Sequence, residues 1–345
     1  MEKIKKTTIK DIAESAGVSI ATVSHVINKS RYVKHNTADR VLKIIKEKNY
    51  DIRQYKGSLK HRGAANRSIG VIINDNSNPL LAAITKYIEQ YAAEEGYNII
   101  LCNSDRNPEK DVENINILIK RKIVGFIICS SSEDIQYYEN INKFDMPAVL
   151  IERKIGGLDR DIVWGDRYNA AKEIVDYLAS LGHRKIAFMH KDTSFHNSKL
   201  RLQGFLEGLK KNNIDFEEDL VFHGGGFWPQ DGYIEIQKIF NSDDRPTAII
   251  AFNDLLALGI IRAIQDRNLN VPDDFSIIGF DNLFFSDYIY PRLTTVTFKK
   301  KDIAYNAVKM LIERINGKKG KAEELLLPLR LIIRESTAKP AKKRY

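Results

Sequence analysis

From Ile69 onward, short runs of β-branched and other apolar residues alternate with longer stretches of helical periodicity, and this alternation restricts the fold more than any other feature of the chain. The runs are Ile69 to Ile73, Tyr97 to Cys102, Val124 to Cys129, Ala148 to Ile151, Lys185 to Met189, Ala248 to Phe252 and Ser276 to Phe280. They are nearly continuous in apolar residues, as strands buried on both faces of a parallel sheet must be. Between them, Leu80 to Glu95, Ala170 to Leu181, Leu200 to Asn212 and Leu255 to Asp266 place apolar residues at helical spacing. Parallel strands need crossover connections, so this order predicts a doubly wound α/β architecture, in which ligands sit beyond the carboxyl ends of the strands.

The residues before Ile69 obey a different pattern. A chain of 345 residues exceeds one ordinary domain. Its charge is divided unevenly: residues 1–67 hold 16 Lys and Arg against 6 Asp and Glu, whereas 68–345 hold 38 against 39. A basic head on a near-neutral body predicts a polyanion-binding module joined to something that is not one. Thr8-Ile9-Lys10-Asp11 has the form of a capping box, and Ile9, Ile12, Ala13 and Ala16 then share one helical face. Gly17 suits the end of that helix, Val18 the gap between crossing helices, and Ser19 the cap of the next. From Ile20 to Asn28, Val23, Val26 and Ile27 face inward and leave a small, polar, acid-free outer side, as a helix lying in a major groove needs. A third helix, about Thr37 to Asn49, carries Val41, Leu42, Ile44 and Ile45. The head is thus read as an all-α helix-turn-helix.

Several classes are disfavoured. Cys102 and Cys129 lie in apolar runs and read as buried thiols, and two sulfurs without clustered His make no structural zinc site. No apolar run is long enough to span a bilayer, and Lys3, Lys5 and Lys6 are followed by no apolar signal core, so no membrane partner and a cytoplasmic location are expected. There is no Walker loop or nucleophile elbow, and Gly224-Gly225-Gly226 precede Phe227-Trp228-Pro229 rather than a phosphate-binding helix, so the chain is read as no enzyme, without cofactor. A solute-binding protein would suit the body alone but not the basic head.

Thr8 to Ser30 resembles the signature of the LacI/GalR (lactose/galactose repressor) family, and Val23 to Lys29 with Arg31 is most similar to its purine-repressor branch. The resemblance implies a transcription regulator, a repressor, that binds a palindromic double-stranded operator as a homodimer and answers to a small-molecule effector, a carbohydrate or derivative. By it, Ile20, Ala21, Thr22 and His25 face base edges, while Ser19, Ser24, Asn28 and Arg31 hold phosphates. Residues 1–50 would be the DNA-binding domain and 51–68 a hinge, with Leu59 wedging into the minor groove and Lys60 beside it. Departures at Ile52, Arg53 and Lys56-Gly57 bear on the hinge, because Gly57 lowers helix stability by about 1 kcal/mol.

Residues 69–345 resemble the family's effector-binding and dimerisation domain, two Rossmann-like lobes of periplasmic-binding-protein type. The implied N-lobe is 69–165 with 297–324, and the C-lobe 166–296 with 325–345. Polar and aromatic residues near strand ends are the effector candidates: Arg153, Asp166, Arg201, Phe227, Asn253 and Asp281, together with Asn78, Leu80 and Leu81, where the family commonly has an aromatic. Trp228, His196 and Asn197 are weaker candidates, and His183 reads as a turn residue. Phe195 stands where the purine-repressor branch has a purine-contacting Arg, which argues against a purine. A catabolite-control regulator that depends on a phosphoprotein partner is the alternative; Tyr97 to Asp105 resembles that branch.

The acid-free helix face predicts that His25→Ala relaxes base preference in a binding-site selection, whereas Lys→Ala in the head weakens all duplexes alike. An unchanged preferred sequence for His25→Ala contradicts base reading by this face.

Overall fold

The computed structural model describes residues 9–19, 22, 23, 25, 26, 33–48, 67–190, 195–223, 226–240, 245–297 and 299–341. The chain forms two compact units, Met1–Arg67 and Ser68–Tyr345.

In the first unit, α1 (Ile9–Ala16) ends where Gly17 takes a φ of 63° and the Val18 N–H donates to the Ala13 carbonyl at 3.0 Å. The Thr22 N–H then donates to Ser19 Oγ at 3.1 Å, the side-chain cap of a following helical stretch that contains Thr22, Val23, His25 and Val26. The next helix, α2 (His35–Glu47), starts two residues earlier than the periodicity predicts, with His35 bonded to Asp39 at 2.8 Å one turn on. Ile12, Ala13, Ala16, Val23, Val41 and Ile45 are buried together, with Val18, Val26 and Ile44 against them. Leu42 stays 46% exposed, on the outer side of α2. Burying each large apolar side chain of this small core is worth about 1.5–3 kcal/mol.

The second unit begins with β1 (Ser68–Ile73), α3 (Pro79–Glu94), β2 (Asn98–Asn103), α4 (Pro108–Lys120), β3 (Gly125–Cys129), α5 (Glu139–Lys143), β4 (Ala148–Ile151) and β5 (Asp161–Gly165). It continues with α6 (Arg167–Leu181), β6 (Ile186–His190), α7 (His196–Lys211), β7 (Val221–His223), α8 (Pro229–Glu235), α9 (Gln237–Phe240) and β8 (Ala248–Ile250). Then follow α10 (Asp254–Gln265), β9 (Ser276–Phe280), β10 (Thr294–Thr297), α11 (Lys300–Ile315), β11 (Glu324–Leu327) and β12 (Arg330–Ile332).

Two six-stranded sheets result, ordered β11-β5-β4-β3-β1-β2 and β12-β10-β9-β8-β6-β7. All pairings are parallel except that of β10 with β12. The chain is therefore a helix-turn-helix head plus two doubly wound Rossmann-like lobes. Each of the seven apolar runs forms a strand, to within a residue or two at its ends. The strands β5, β7, β10, β11 and β12 carry no such run. The last passage between the sheets falls at Pro328-Leu329, after β11, and not at Glu324, because β11 pairs with β5 in the first sheet.

Local chemistry accounts for the joints. Gly182 ends α6 with a φ of 102°, and the buried His183 that follows bonds Thr247 Oγ1 at 2.8 Å and the Ala338 carbonyl at 2.9 Å, the turn role read from its position. Helix α7 packs on α6 through Gly204, where a Cβ would fall 2.1 Å from the Tyr168 carbonyl oxygen. Within the first lobe, the fully buried Asp111 accepts from Tyr138 Oη at 2.6 Å, from the Ser131 N–H at 2.9 Å and from Ser104 Oγ, fixing the loop after β3.

Candidate functional site

The carboxyl ends of the strands of both sheets deliver side chains to one cavity of about 280 Å³. From the first lobe come Asn74 after β1, Arg106 after β2, Ser131 after β3 and Glu152 and Arg153 after β4; from the second come Arg201 on α7, Phe227 after β7, Asn253 after β8 and Asp281 after β9. Asn78, Leu80, Leu81 and Phe195 complete much of the wall.

Two acids mark the opposed edges. Glu152, with φ 63°, and Asp281, with φ 102°, both follow strand ends in the left-handed region that non-glycine residues seldom adopt. Such backbone persists only when the surroundings hold it, and it concentrates at binding sites. Glu152 is held by the Gly165 N–H at 2.9 Å and by Arg167 Nε at 2.9 Å, a pair buried on both sides. The Asp281 N–H donates to the Val296 carbonyl at 2.8 Å, and its own carbonyl accepts from Lys300 Nζ at 2.8 Å. Its carboxylate has no hydrogen bond of its own among the described residues, so it can accept from hydroxyls.

The arginines supply the donors. Arg201 is 3% exposed; its Nη1 donates to the Phe252 carbonyl, and its guanidinium lies 4.3 Å and 4.2 Å from the ring centres of Phe252 and Phe280. Burial pulls its pKa down to about 9, with the charge of Arg167 acting the same way and Asp281 and Glu152 opposing, so it stays charged at neutral pH. The Arg153 guanidinium stands 4.0 Å over the ring of Phe195, and burial lowers its pKa as well. Arg106 lies 4.1 Å over Phe227 and pairs with Asp75 at 2.8 Å.

Other candidates have work in the fold. Asn253 Oδ1 accepts the Leu256 N–H at 2.7 Å to cap α10, and its Nδ2 holds the Phe227 carbonyl at 3.2 Å, so it positions an aromatic wall. Asn78 caps α3 through the Leu80 N–H at 2.9 Å. Asp166 does not reach the cavity: it caps α6, its Oδ1 accepting the Asn169 N–H at 3.1 Å, and the next residue, Arg167, lines the cavity in its place. Trp228 stands outside the lining, while Asn197 is part of it, its Nδ2 donating to the Glu152 carbonyl. Arg106, Glu152 and Arg167 were missed in the sequence; each lies within three residues of a strand end, and that placement was the available signal.

The sequence matches the profile of bacterial regulatory proteins of the lacI family over residues 8–51 and that of a periplasmic binding protein-like domain over 175–337. It is 34% identical over 335 residues, 97% of this chain and 99% of the relative, to a protein from Mannheimia succiniciproducens named HTH-type transcriptional repressor PurR. The chain belongs to the LacI family. Among solved structures of that family, it is similar to a transcriptional regulator from Enterococcus faecium with bound ribose, at a TM-score of 0.72 and 30% identity over 79% of this chain and all of that one. It is also similar to the lac repressor dimer bound to operator and the anti-inducer ONPF, at a TM-score of 0.72 and 26% identity over 97% of this chain and all of the other.

In this LacI-family head, Ser19 and Thr22 are within the described residues: their hydroxyls lie 2.9 Å apart at the helix cap. His25 is half-buried on the same helical stretch. Ile20, Ala21, Ser24, Asn28, Arg31, Leu59 and Lys60 lie outside the described residues, as does the cap residue Thr8. No described helix is long and apolar enough to cross a membrane.

Behind the cavity, the fully buried Asp254 accepts from Leu283 N–H at 2.7 Å, Ser286 Oγ at 2.6 Å and Thr295 Oγ1 at 2.6 Å. Burial pushes its pKa up to about 7, helped by the charge of Asp281 and opposed by the three hydrogen bonds. A carboxyl whose pKa rises on folding contributes stability that is complete below its unfolded value and is lost as pH rises through the folded one. Between roughly pH 5 and roughly pH 8 the full chain should therefore lose more stability than its Asp254→Asn variant, read as urea midpoints. Equal losses contradict the assignment.

Proposed function

We propose that this chain is a transcriptional repressor that binds a palindromic operator as a homodimer and is controlled by a small polyhydroxylated effector held between the lobes of its body. The observation that carries the reading is the cavity itself, with Asp281 able to accept from hydroxyls, Arg201 able to donate, and aromatic walls at Phe227 and Phe252. Directed polar and charged groups set among aromatic and aliphatic walls suit a small polar ligand. The relatives point the same way: one solved regulator holds ribose, and the lac repressor is bound to operator as a dimer.

Because the cavity is walled by both sheets, an occupant touches both lobes and favours one arrangement of them over another. That differential affinity is what couples the cleft to operator binding, and the coupling must act equally in both directions. Within this reading Ile20, Ala21, Thr22 and His25 meet bases, Ser19, Ser24, Asn28 and Arg31 meet phosphates, and Leu59 with Lys60 serves the minor groove. Phe195, with its ring against Arg153, favours an effector other than a purine. A built polar cavity also favours a small molecule over a phosphoprotein as the controlling partner.

The test is operator binding by the full chain while a panel of pentoses, hexoses and their derivatives is titrated. A member should change operator affinity, and Asp281→Ala should keep operator binding while weakening the response about tenfold or more. Asp281→Ala responding as wild type does overturns the assignment of effector recognition to this cleft.

A further inference from the structure

The cleft holds more positive charge than its internal pairs use. Arg106 is matched by Asp75 and Arg167 by Glu152. Among the described residues, Arg153 and Arg201 form no ion pair, and Arg153 Nη1 and Arg201 Nε are buried without a hydrogen-bond partner. Buried polar groups are normally satisfied, and charged donors most of all, so these N–H groups call for an acceptor that the fold itself does not provide.

The two arginines differ in what surrounds them. Arg201 feels the opposite charge of Asp281 and already gives one N–H to the Phe252 carbonyl. Arg153 sits at the other lobe's edge, and the Phe195 ring covers a face of its guanidinium. Covering that face leaves the in-plane edge, with its fork of donors, as the part that can meet a ligand. That edge matches the paired oxygens of a carboxylate or phosphate. Glu133, the acid whose charge bears on Arg153, has its carboxylate on the His196 N–H at 3.1 Å. The cavity thus holds an unpaired arginine after β4, beside the acids Glu133 and Glu152 that also line it, and an unpaired carboxylate after β9.

We propose that Arg153 is a specificity residue for an anionic group, a carboxylate or a phosphate, carried by the polyol effector, whose hydroxyls meet Asp281 at the opposite lobe. The inference rests on the reading that this cleft binds the effector, and it narrows the ligand class to sugar acids and sugar phosphates.

The experiment uses the full chain and matched probe pairs that differ in charge: D-gluconate with D-glucitol, D-glucuronate with D-glucose, and D-ribose 5-phosphate with D-ribose. Calorimetric titration should show at least one acid binding about tenfold or more tighter than its neutral partner. The pair that responds tells carboxylate from phosphate. Arg153→Met should abolish the preference by weakening the acid far more than its neutral partner, while Arg153→Lys, which keeps the charge and guards against misfolding, should retain part of it. A neutral probe that binds as tightly as its acid, in wild type and Arg153→Met alike, overturns the charge assignment and leaves the cleft as the effector site. Silence from all six probes, with Arg153→Met folded and binding operator, overturns the charge assignment too, and the response of operator binding to the neutral sugar panel then decides the cleft reading separately.

Discussion

Parallel pairing makes the strands so joined end on the same edge of their sheet, and in this chain two such edges supply one cavity. The loops after β1, β2, β3 and β4 reach it from one sheet and those after β7, β8 and β9 from the other. Everything attributed to the cleft follows from that convergence. A side chain just beyond a strand end can reach the cavity, as Glu152 and Asp281 do; capping a helix turns Asp166 away from it, whereas Asn78 and Asn253 cap helices and still line the wall. Asp281 and Asp166 differ in this way: both follow parallel strands, but only the latter is spent on an N–H of the helix that begins there.

What could be read from residues alone follows the same physics. Runs such as Ile69 to Ile73 and Ser276 to Phe280 are buried on both faces, so their composition declares them. Strand β11 alternates exposed and half-buried residues at a sheet edge, β7 and β12 are three residues long, and β10 is Thr-Thr-Val-Thr. Such strands owe their existence to neighbours rather than to their own hydrophobicity. The passage at Pro328-Leu329 depends on the partners of β11 and β12, which no local pattern encodes. In the head, helix caps and the glycine turn at Gly17 are local devices, and those within the described residues have the geometry their residue types require.

The candidate site was legible where chemistry and position coincide. Arg153 and Asp281 are charged residues just past strand ends, Arg201 lies on α7, and all three line the cavity. Glu152 and Arg167 offered only their placement beside strand ends, because their importance lies in pairing with each other between the end of β4 and the start of α6, with β5 intervening in the chain. Asn253 was legible as polar and near the site, but its bonds to Leu256 and Phe227 show a positioning role. A single sequence displays residue types; whether their hydrogen-bonding capacity is already used is visible only once the fold is assembled.

Charge organises the cleft in two ways. Matched pairs, Glu152 with Arg167 and Asp75 with Arg106, fix loops at the ends of strands, and removing one partner would leave a buried charge unmet. Unmatched groups, Arg153, Arg201 and Asp281, remain for an occupant. An occupant that satisfies groups from both lobes links them, and if the head's affinity for DNA depends on the lobes, effector and operator must report on each other. The direct measurement is a pair of ratios on the full chain: operator affinity with and without a cleft ligand whose binding calorimetry has established, and that ligand's affinity with and without operator. The account predicts equal ratios, both different from one. Sequence-specific operator binding that stays constant as the cleft fills would contradict it.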